Sequence, residues 1–383
     1  SHFSSHPLPT PPHSCPSSSL QPSYPLPMPT ENLSAVLHGV NDLRLESTPT
    51  PSSPLPPGHV LLAIRSVGIC GSDVHYWTHG AIGDFVLTSP MTLGHEASAE
   101  VVEVGEGVEG LAKGDRVAIE PGVPCRTCGH CKGGTYNLCA KMSFCATPPV
   151  NGSLTRRFVH PADFCFKIPD HVSYDGAALL EPLSVGVHAT NRAGVKLGST
   201  VLICGAGTIG LANLVTALAK GASAVAVTDI DDGRLAVAKS LGAAATVNVR
   251  GRSARDAADA VRAALPGGSA GADAVIECTG AEVALATAVY GAKSGGVVVV
   301  VGMGAPVMSV PLLDAACREV DVRGVFRYVN AYPTALAMVA DGKVDVEKFV
   351  THRFKLEDAV KAFETAKTGA GGAIKVIIDC SEE

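Results

Sequence analysis

The spacing of apolar positions changes near residue 186. From about residue 33 to 185, short apolar runs are separated by frequent glycine and proline, as at 60–64, 99–104, 116–119 and 164–168. Such runs predict a small β-rich, barrel-like domain over 31–185. From 186 to 324, apolar strands alternate with alanine-rich helical stretches, at 200–204, 211–220, 224–228, 233–241, 274–278 and 297–301. This alternation predicts an α/β fold with a doubly wound parallel sheet.

The two ends of the chain differ from both of these regions. After Gly324 the pattern is mixed, with helices expected at 333–340 and 356–367 and a last strand at 374–378, so 325–383 is predicted to rejoin the first domain. Residues 1–30 contain nine prolines, eight serines and no Lys, Arg, Asp or Glu. A segment of that composition cannot bury a core, which predicts a disordered tail. The chain begins with Ser1, and Met28 is a plausible alternative start.

Composition narrows the class of protein further. The 383 residues are 46% hydrophobic and 17% charged, which argues against a fibrous or disordered chain, and the net charge of −6 without a Lys/Arg run argues against nucleic-acid binding. The uncharged stretches 201–219 and 295–313 are interrupted by glycine or proline, so they indicate strand and turn rather than membrane spans. Many of the 12 cysteines sit in apolar surroundings, which favours a reducing compartment, by default the cytoplasm.

A glycine-rich turn predicts a dinucleotide site. Residues 205–210 read GAGTIG between a predicted strand and a predicted helix. Gly205 allows the tight turn, Gly207 lets the backbone approach a pyrophosphate, and Gly210 permits close helix packing. Asp229 follows at the end of the next strand, where a carboxylate can accept hydrogen bonds from the ribose hydroxyls. Aspartates at 231 and 232 would repel a 2′-phosphate, so NAD is predicted rather than NADP.

Four cysteines lie within 15 residues at the spacing of a zinc loop: Cys125, Cys128, Cys131 and Cys139. Four thiolates can close a tetrahedron around zinc and leave no open position, which predicts a structural site. A nucleic-acid-binding zinc module is the alternative, but the flanking basic residues are sparse.

A second group of possible ligands is dispersed along the chain: Cys70, His95, Glu96 and Glu181. Each has an ordinary explanation, since a cysteine after an apolar strand is commonly a core residue and an adjacent His–Glu is commonly a surface pair. These residues alone therefore do not decide whether the chain binds a catalytic metal.

From about residue 33 to 380 the chain resembles the zinc-dependent medium-chain dehydrogenase/reductase family. The resemblance rests on GICGSD at 68–73, LGHE at 93–96, GDRV at 114–117, the four-cysteine loop and the glycine turn. Within the family it is most similar to the sorbitol (L-iditol 2-) dehydrogenases, on SDVHYW at 72–77, FCATPP at 144–149, EPLSV at 181–185 and VFRY at 325–328. The resemblance implies a GroES-like catalytic domain joined to a Rossmann domain.

The resemblance also implies roles for individual residues. Cys70, His95 and Glu96 would hold a catalytic zinc, with Glu181 contacting it directly or through water. The polyol pocket would be lined by Tyr76, Glu181, Arg327 and Tyr328, with Phe144 and Thr147 as weaker candidates. The cofactor would meet Gly205, Gly207, Ile209, Gly210, Asp229 and Arg234, with Val301, Gly302, Met303, Val325, Phe326 and Arg327 near the nicotinamide. Ser72 and His75 would relay the proton released by hydride transfer, although His75 as a purely structural partner remains an alternative.

Two features of the chain differ from the pattern of this sub-family. Thr208 stands where this sub-family usually has proline, and the complete four-cysteine loop differs from the vertebrate sorbitol enzymes. Oxidation of sorbitol to fructose with NAD is favoured, while xylitol and L-arabinitol remain open as substrates. A 2,3-diol or simple alcohol dehydrogenase and a non-catalytic NAD-binding protein are the further alternatives. The family's usual assembly implies a homotetramer without nucleic-acid or membrane partners.

Overall fold

The structure, a computed structural model, describes residues 32–266 and 270–382. The predicted disordered tail, residues 1–30, lies outside these ranges. Within them, the structure contains no helix with the length and apolar character that crossing a bilayer requires.

The described chain forms strands and helices in the following order. The strands are β1 (Asn32–Gly39), β2 (Asp42–Thr48), β3 (His59–Gly68), β4 (Ala81–Ile82), β5 (Phe85–Val86), β6 (Met91–Thr92), β7 (Glu96–Val104), β8 (Arg116–Ile119), β9 (Gly122–Val123), β10 (Ser143–Phe144), β11 (Arg157–Pro161), β12 (Cys165–Lys167), β13 (Thr200–Cys204), β14 (Ala224–Asp229), β15 (Ala245–Asn248), β16 (Ala272–Glu277), β17 (Ala292–Val300), β18 (Asp321–Gly324), β19 (Val350–Lys355) and β20 (Lys375–Asp379). The α-helices are α1 (Gly71–His79), α2 (Gly129–Lys132), α3 (Tyr174–Ala178), α4 (Leu180–Arg192), α5 (Thr208–Ala219), α6 (Asp232–Ser240), α7 (Ala254–Ala264), α8 (Glu282–Gly291), α9 (Leu312–Cys317), α10 (Tyr332–Ala340) and α11 (Ala359–Thr368).

A seven-stranded mixed sheet organises the β-rich part. Its order is β12-β8-β7-β3-β20-β19, and β11 also pairs with β3. The last strand of the chain, β20, runs antiparallel to β3, with Ile377 opposite Gly68, and β3 pairs on its other side with β7, with Gly68 opposite Glu96. The end of β3, the start of β7 and the middle of β20 therefore meet at Gly68.

The residue at position 68 has to be glycine because of this register. A Cβ atom there would lie 2.1 Å from Oε2 of Glu96, well inside van der Waals contact. The missing side chain leaves room for the Glu96 carboxylate at the end of the sheet.

Six parallel strands form the second sheet, in the order β15-β14-β13-β16-β17-β18. Read along the chain this is the 3-2-1-4-5-6 order of a doubly wound sheet, which confirms the predicted fold class. The strand order reverses between β13 and β16, so a crevice opens at their carboxyl ends, where such folds bind ligands.

Helix α4 connects the two sheets, and it crosses residue 186, where the sequence pattern changes. Its residues Leu180, Leu183 and Val187 are at most 3% exposed. They belong to one apolar cluster with Ile203 and Leu211 of the parallel-sheet region, and that cluster also includes residues of the β-rich part. The predicted domain limits at 185/186 and 324/325 remain sequence-based predictions.

Candidate active site

The glycine turn after β13 opens into a cavity of about 450 Å³. Gly205 has φ of +102°, a left-handed conformation that glycine adopts without strain. At Gly210 a Cβ would lie 1.8 Å from the carbonyl oxygen of Gly205, so only glycine lets α5 approach the turn. Gly205, Gly207, Asp229 and Arg234 all line this cavity, as the predicted nucleotide site requires.

The carboxylate of Asp229 is held rigidly at the end of β14. Its Oδ2 accepts a hydrogen bond from the amide of Ala206 at 2.7 Å, and its Oδ1 accepts from the amides of Ile230 at 2.8 Å and Asp231 at 3.0 Å. The residue is 9% exposed. A carboxylate has about four acceptor positions, so Asp229 still has capacity to accept from a ligand hydroxyl.

A second cavity of about 190 Å³ lies where the two sheets meet. Many of the predicted substrate and cofactor residues line it, namely Tyr76, Phe144, Thr147, Glu181, Ile209, Val301, Met303, Val325, Phe326 and Arg327. Cys70 and His95 lie in the same wall. Residues from the β-rich part, α4, α5 and the segment after β18 therefore share one space.

Three of the predicted substrate and cofactor residues, Gly210, Gly302 and Tyr328, line neither of these two cavities. Gly210 and Gly302 are packing positions, since a Cβ at Gly302 would lie 2.1 Å from the amide nitrogen of Gly280. Tyr328 is 3% exposed behind the wall, where burial and the charge of Glu181 raise its pKa.

Three side chains in or next to the wall of the second cavity could hold a metal ion. One ligand atom each from Cys70, His95 and Glu96 lies within 4.8 Å of the others. Cys70 follows β3 and precedes α1, while His95 and Glu96 stand at the start of β7, so the β3–β7 pairing brings them together. A thiolate, an imidazole and a carboxylate are ligands that suit Zn²⁺, so the residues present fit a zinc ion.

Two residues that the sequence analysis assigned no role support these ligands. Asp73 is 1% exposed; it accepts from the amides of Cys70 and Gly94, each at 3.1 Å, and its Oδ1 lies 3.3 Å from Nδ1 of His95. A carboxylate beside one imidazole nitrogen orients the ring so that the other nitrogen is available to a metal.

Lys375 is the second of these residues. Its Nζ donates to both oxygens of Glu96, at 2.8 and 2.6 Å, and to the carbonyl of Ile69 at 2.8 Å. Although burial acts in the opposite direction, the charge of Glu96 raises the pKa of Lys375, so the group is an ammonium ion. A lysine within the apolar strand sequence AIKVIID is a signal that could have identified it, because a buried cation needs a partner.

Glu181 is buried at the start of α4, and burial raises its pKa to about 7. Of the two predicted relay residues, Ser72 lines the second cavity. His75 is exposed, with its ring stacked 4.4 Å from that of His79, and does not belong to the described cavity wall.

The four cysteines of the predicted structural site converge. Their four sulfur atoms all lie within 4.8 Å of one another. Cys128 precedes α2, and its amide donates to the sulfur of Cys125 at 3.4 Å. The backbone and hydroxyl of Thr127, together with this amide, lower the pKa of Cys125 to about 5. Burial and the neighbouring sulfurs raise the pKa of Cys131 to about 12, so the case for a structural zinc ion rests on the convergence of the four sulfurs.

Comparison with known proteins agrees with this architecture. A sequence profile described as the alcohol dehydrogenase GroES-like domain matches residues 56–170, and one described as zinc-binding dehydrogenase matches 208–341. Sorbitol dehydrogenase of Mus musculus is 52% identical over 350 residues, which is 91% of this chain and 96% of that protein.

Two solved structures extend the likeness to the three-dimensional level. An oxidoreductase/dehydrogenase of unknown specificity from Escherichia coli has a TM-score of 0.85 and 36% identity, covering 92% of this chain and all of that one. A zinc-binding dehydrogenase from Sinorhizobium meliloti, solved bound to NADP, has a TM-score of 0.83 and 28% identity over 92% of this chain and 100% of its own.

Proposed function

Because the chain belongs to the zinc-dependent medium-chain dehydrogenase/reductase family, we propose that it oxidises sorbitol at C2 to fructose and transfers the hydride to NAD⁺. An NAD-dependent polyol dehydrogenase accounts for the large cavity at the glycine turn and for the smaller cavity beside Cys70, His95 and Glu96. Zinc held by these three residues would supply a Lewis acid beside the substrate cavity.

The observation that carries the substrate assignment is the placement of Arg327. Its guanidinium lies 3.8 Å from the centre of the Phe144 ring, and Nη2 is 3.3 Å from Oγ1 of Thr147. The side chain is half-buried, and burial lowers its pKa. A half-buried guanidinium needs acceptors, and a polyol offers several hydroxyl oxygens where a simple alcohol offers one. The guanidinium of Arg327 in the cavity wall therefore supports a polyol over a monohydric alcohol.

Residues of this chain would also guide the proton that leaves the substrate hydroxyl. Ser72 lies in the cavity wall, and His75 is exposed three residues later on α1. Residues three apart are neighbours on a helix surface, so the pair could connect the cavity to solvent. Glu181 would orient the substrate hydroxyl or a water molecule at the cavity floor.

The choice of NAD over NADP rests on the position of Asp229 in the wall of the larger cavity. Asp229 offers its remaining acceptor positions to the ribose hydroxyls, and Asp231 and Asp232 follow it in sequence. A 2′-phosphate placed there would be repelled by these carboxylates. Because the Sinorhizobium relative was solved with NADP, the preference of this protein for NAD⁺ over NADP⁺ should be measured directly.

The proposal also covers the oligomeric state of the protein and its location in the cell. We propose a homotetramer, since β18 is an edge strand of the described parallel sheet and the nearby Val307, Leu312 and Leu313 are 85%, 65% and 78% exposed. The eleven cysteines among the described residues are unpaired, which supports a reducing compartment such as the cytoplasm. Light scattering coupled to gel filtration tests the tetramer.

The function is tested by NADH formation at 340 nm with zinc-replete protein and sorbitol, xylitol, L-arabinitol or ethanol. We expect chelator-sensitive turnover on sorbitol with NAD⁺ and little with NADP⁺. The variant Arg327→Met keeps an aliphatic contact with Phe144 but removes the donors, so KM for sorbitol should rise about tenfold or more. The absence of turnover on every polyol would overturn the assignment.

A further inference from the structure

We propose that the four-cysteine loop, residues 125–139, positions the substrate-binding Arg327 in addition to folding around its own metal. This inference rests on the proposed role of Arg327 in polyol binding. Tyr136 and Asn137 of the loop contact the backbone on both sides of Arg327, so they are positioning residues.

The contacts bracket the short segment 326–330, which carries Arg327. On one side, Nδ2 of Asn137 donates to the carbonyl of Phe326 at 2.9 Å. On the other, the amide of Asn330 donates to the hydroxyl of Tyr136 at 3.0 Å. Nδ2 of Asn330 also donates to the carbonyl of Gly134 at 3.2 Å. Three hydrogen bonds thus join the loop to a segment about 190 residues further along the chain.

Segment 326–330 depends on such outside contacts because of its own conformation. It lies between β18 and α10 without regular secondary structure. Arg327 and Asn330 have φ of +52° and +51°, a left-handed conformation that residues with a Cβ rarely adopt. A conformation of this kind persists only when the surrounding structure holds it in place.

The loop residues that make these contacts are themselves well anchored. Asn137 is 6% exposed. The hydroxyl of Tyr136 donates to Oε1 of Glu120 at 2.7 Å, and Glu120 is 3% exposed. The Tyr136 ring packs edge-on against Phe164 with 6.4 Å between ring centres. The hydroxyl that accepts from Asn330 is therefore fixed by a buried carboxylate behind it.

The strands that flank the loop carry the aromatic ring on which the Arg327 side chain rests. Strands β9 and β10 flank the loop and pair with each other, with Phe144 opposite Gly122. Phe144 is the ring that lies under the Arg327 guanidinium. The loop thus contacts the backbone on either side of Arg327, and a strand that flanks the loop carries the ring on which the guanidinium rests.

The test compares Tyr136→Phe and Asn137→Ala with the control Thr135→Val in the full-length, zinc-replete protein. Among the residues that the structure describes, the hydroxyl of Thr135 bonds within the loop, to His130. For each test variant we expect KM for sorbitol to rise about fivefold, the typical effect of losing one hydrogen bond. The value of kcat should stay within about twofold, because neither variant changes a zinc ligand.

A second readout does not depend on the reaction. Amide hydrogen exchange of a peptide covering 325–331, measured without substrate, should accelerate in Tyr136→Phe and Asn137→Ala and match wild type in Thr135→Val. Unchanged exchange and unchanged KM for sorbitol in both test variants, with zinc content equal to wild type, would overturn the inference. If wild type oxidises no polyol, the proposed function fails, and the exchange data alone decide whether the loop holds the segment.

Discussion

Replacing Lys375 with methionine would remove a buried ammonium group on which three oxygen atoms depend. Lys375 and Glu96 are 2% and 1% exposed, and the Nζ–oxygen distances are 2.6, 2.8 and 2.8 Å. Methionine is nearly as long as lysine, so little space is vacated and the main effect is electrostatic. In zinc-free protein, Glu96 would be left as a buried carboxylate without its counter-charge.

Removing one partner of such a pair costs about 3–5 kcal/mol. With an unfolding entropy of about 2.1 cal/mol/K per residue, a chain of about 350 ordered residues has roughly 0.7 kcal/mol/K, so Tm should fall by about 4–7 °C. A surface pair provides the scale for comparison. Lys361 and Asp358 have side chains 72% and 44% exposed. The same substitution, Lys361→Met, should cost under about 1 kcal/mol and move Tm by at most about 1 °C.

The assay is calorimetry at a fixed scan rate on zinc-free wild type, Lys375→Met, Glu96→Gln and the double variant, with the absence of zinc checked in every sample. The double variant should be more stable than Lys375→Met, because it no longer buries an unpaired charge. Two results would refute the reasoning. One is a Tm for Lys375→Met within about 1 °C of wild type, and the other is a double variant whose Tm shift equals the sum of the single shifts.

Three further outcomes follow from the structure. Asp229→Ser should lower kcat/KM for NAD⁺ by about 10–100-fold, as expected for a lost charged hydrogen bond. It should also reduce the ratio of kcat/KM for NAD⁺ to kcat/KM for NADP⁺, and an unchanged ratio would contradict the role of the carboxylate. Cys125→Ser should reduce the zinc count by plasma mass spectrometry from two per chain to one, and a count of two in the variant would disprove the structural site. Burial raises the pKa of Glu120 to about 7 from a usual value of 4.5, so the folded protein binds this proton more tightly than the unfolded chain. Stability from this group is fully present below about pH 4.5 and decreases by up to about 3 kcal/mol as pH rises to 7. Glu120→Gln should remove that decrease in a Tm series from pH 5 to 8, and parallel curves for the two proteins would refute it.

Features whose parts lie close together in the sequence were predictable in detail. The strand at 200–204, the glycine turn after it and the parallel sheet around it match the predictions, and the fold class is confirmed. The four cysteines converge as their spacing predicts. The helix predicted over 356–367 differs, because a 3₁₀ turn occupies Leu356–Asp358 and α11 begins at Ala359.

The support for the second metal cluster could not be read from the residues alone. Without the family resemblance, Cys70 and His95 had ordinary explanations as core and surface residues. Asp73 had no predicted role although it stands inside the GICGSD motif. Lys375 had none either, since its partner Glu96 lies 279 residues earlier in the chain.

Short-range periodicity and residue spacing predicted the fold class, the glycine turn and the four-cysteine loop, because they set which atoms of a strand, turn or loop can meet. Three contacts depend instead on how the folded chain brings distant segments together: Glu96 faces Lys375, Arg327 rests on Phe144, and Asn137 binds the carbonyl of Phe326. These contacts depend on the register of β3 with β7 and β20 and on a loop closing against a distant segment. A shift of one residue in such a register would turn each side chain to the other face of its sheet, and nothing in the local sequence records that register.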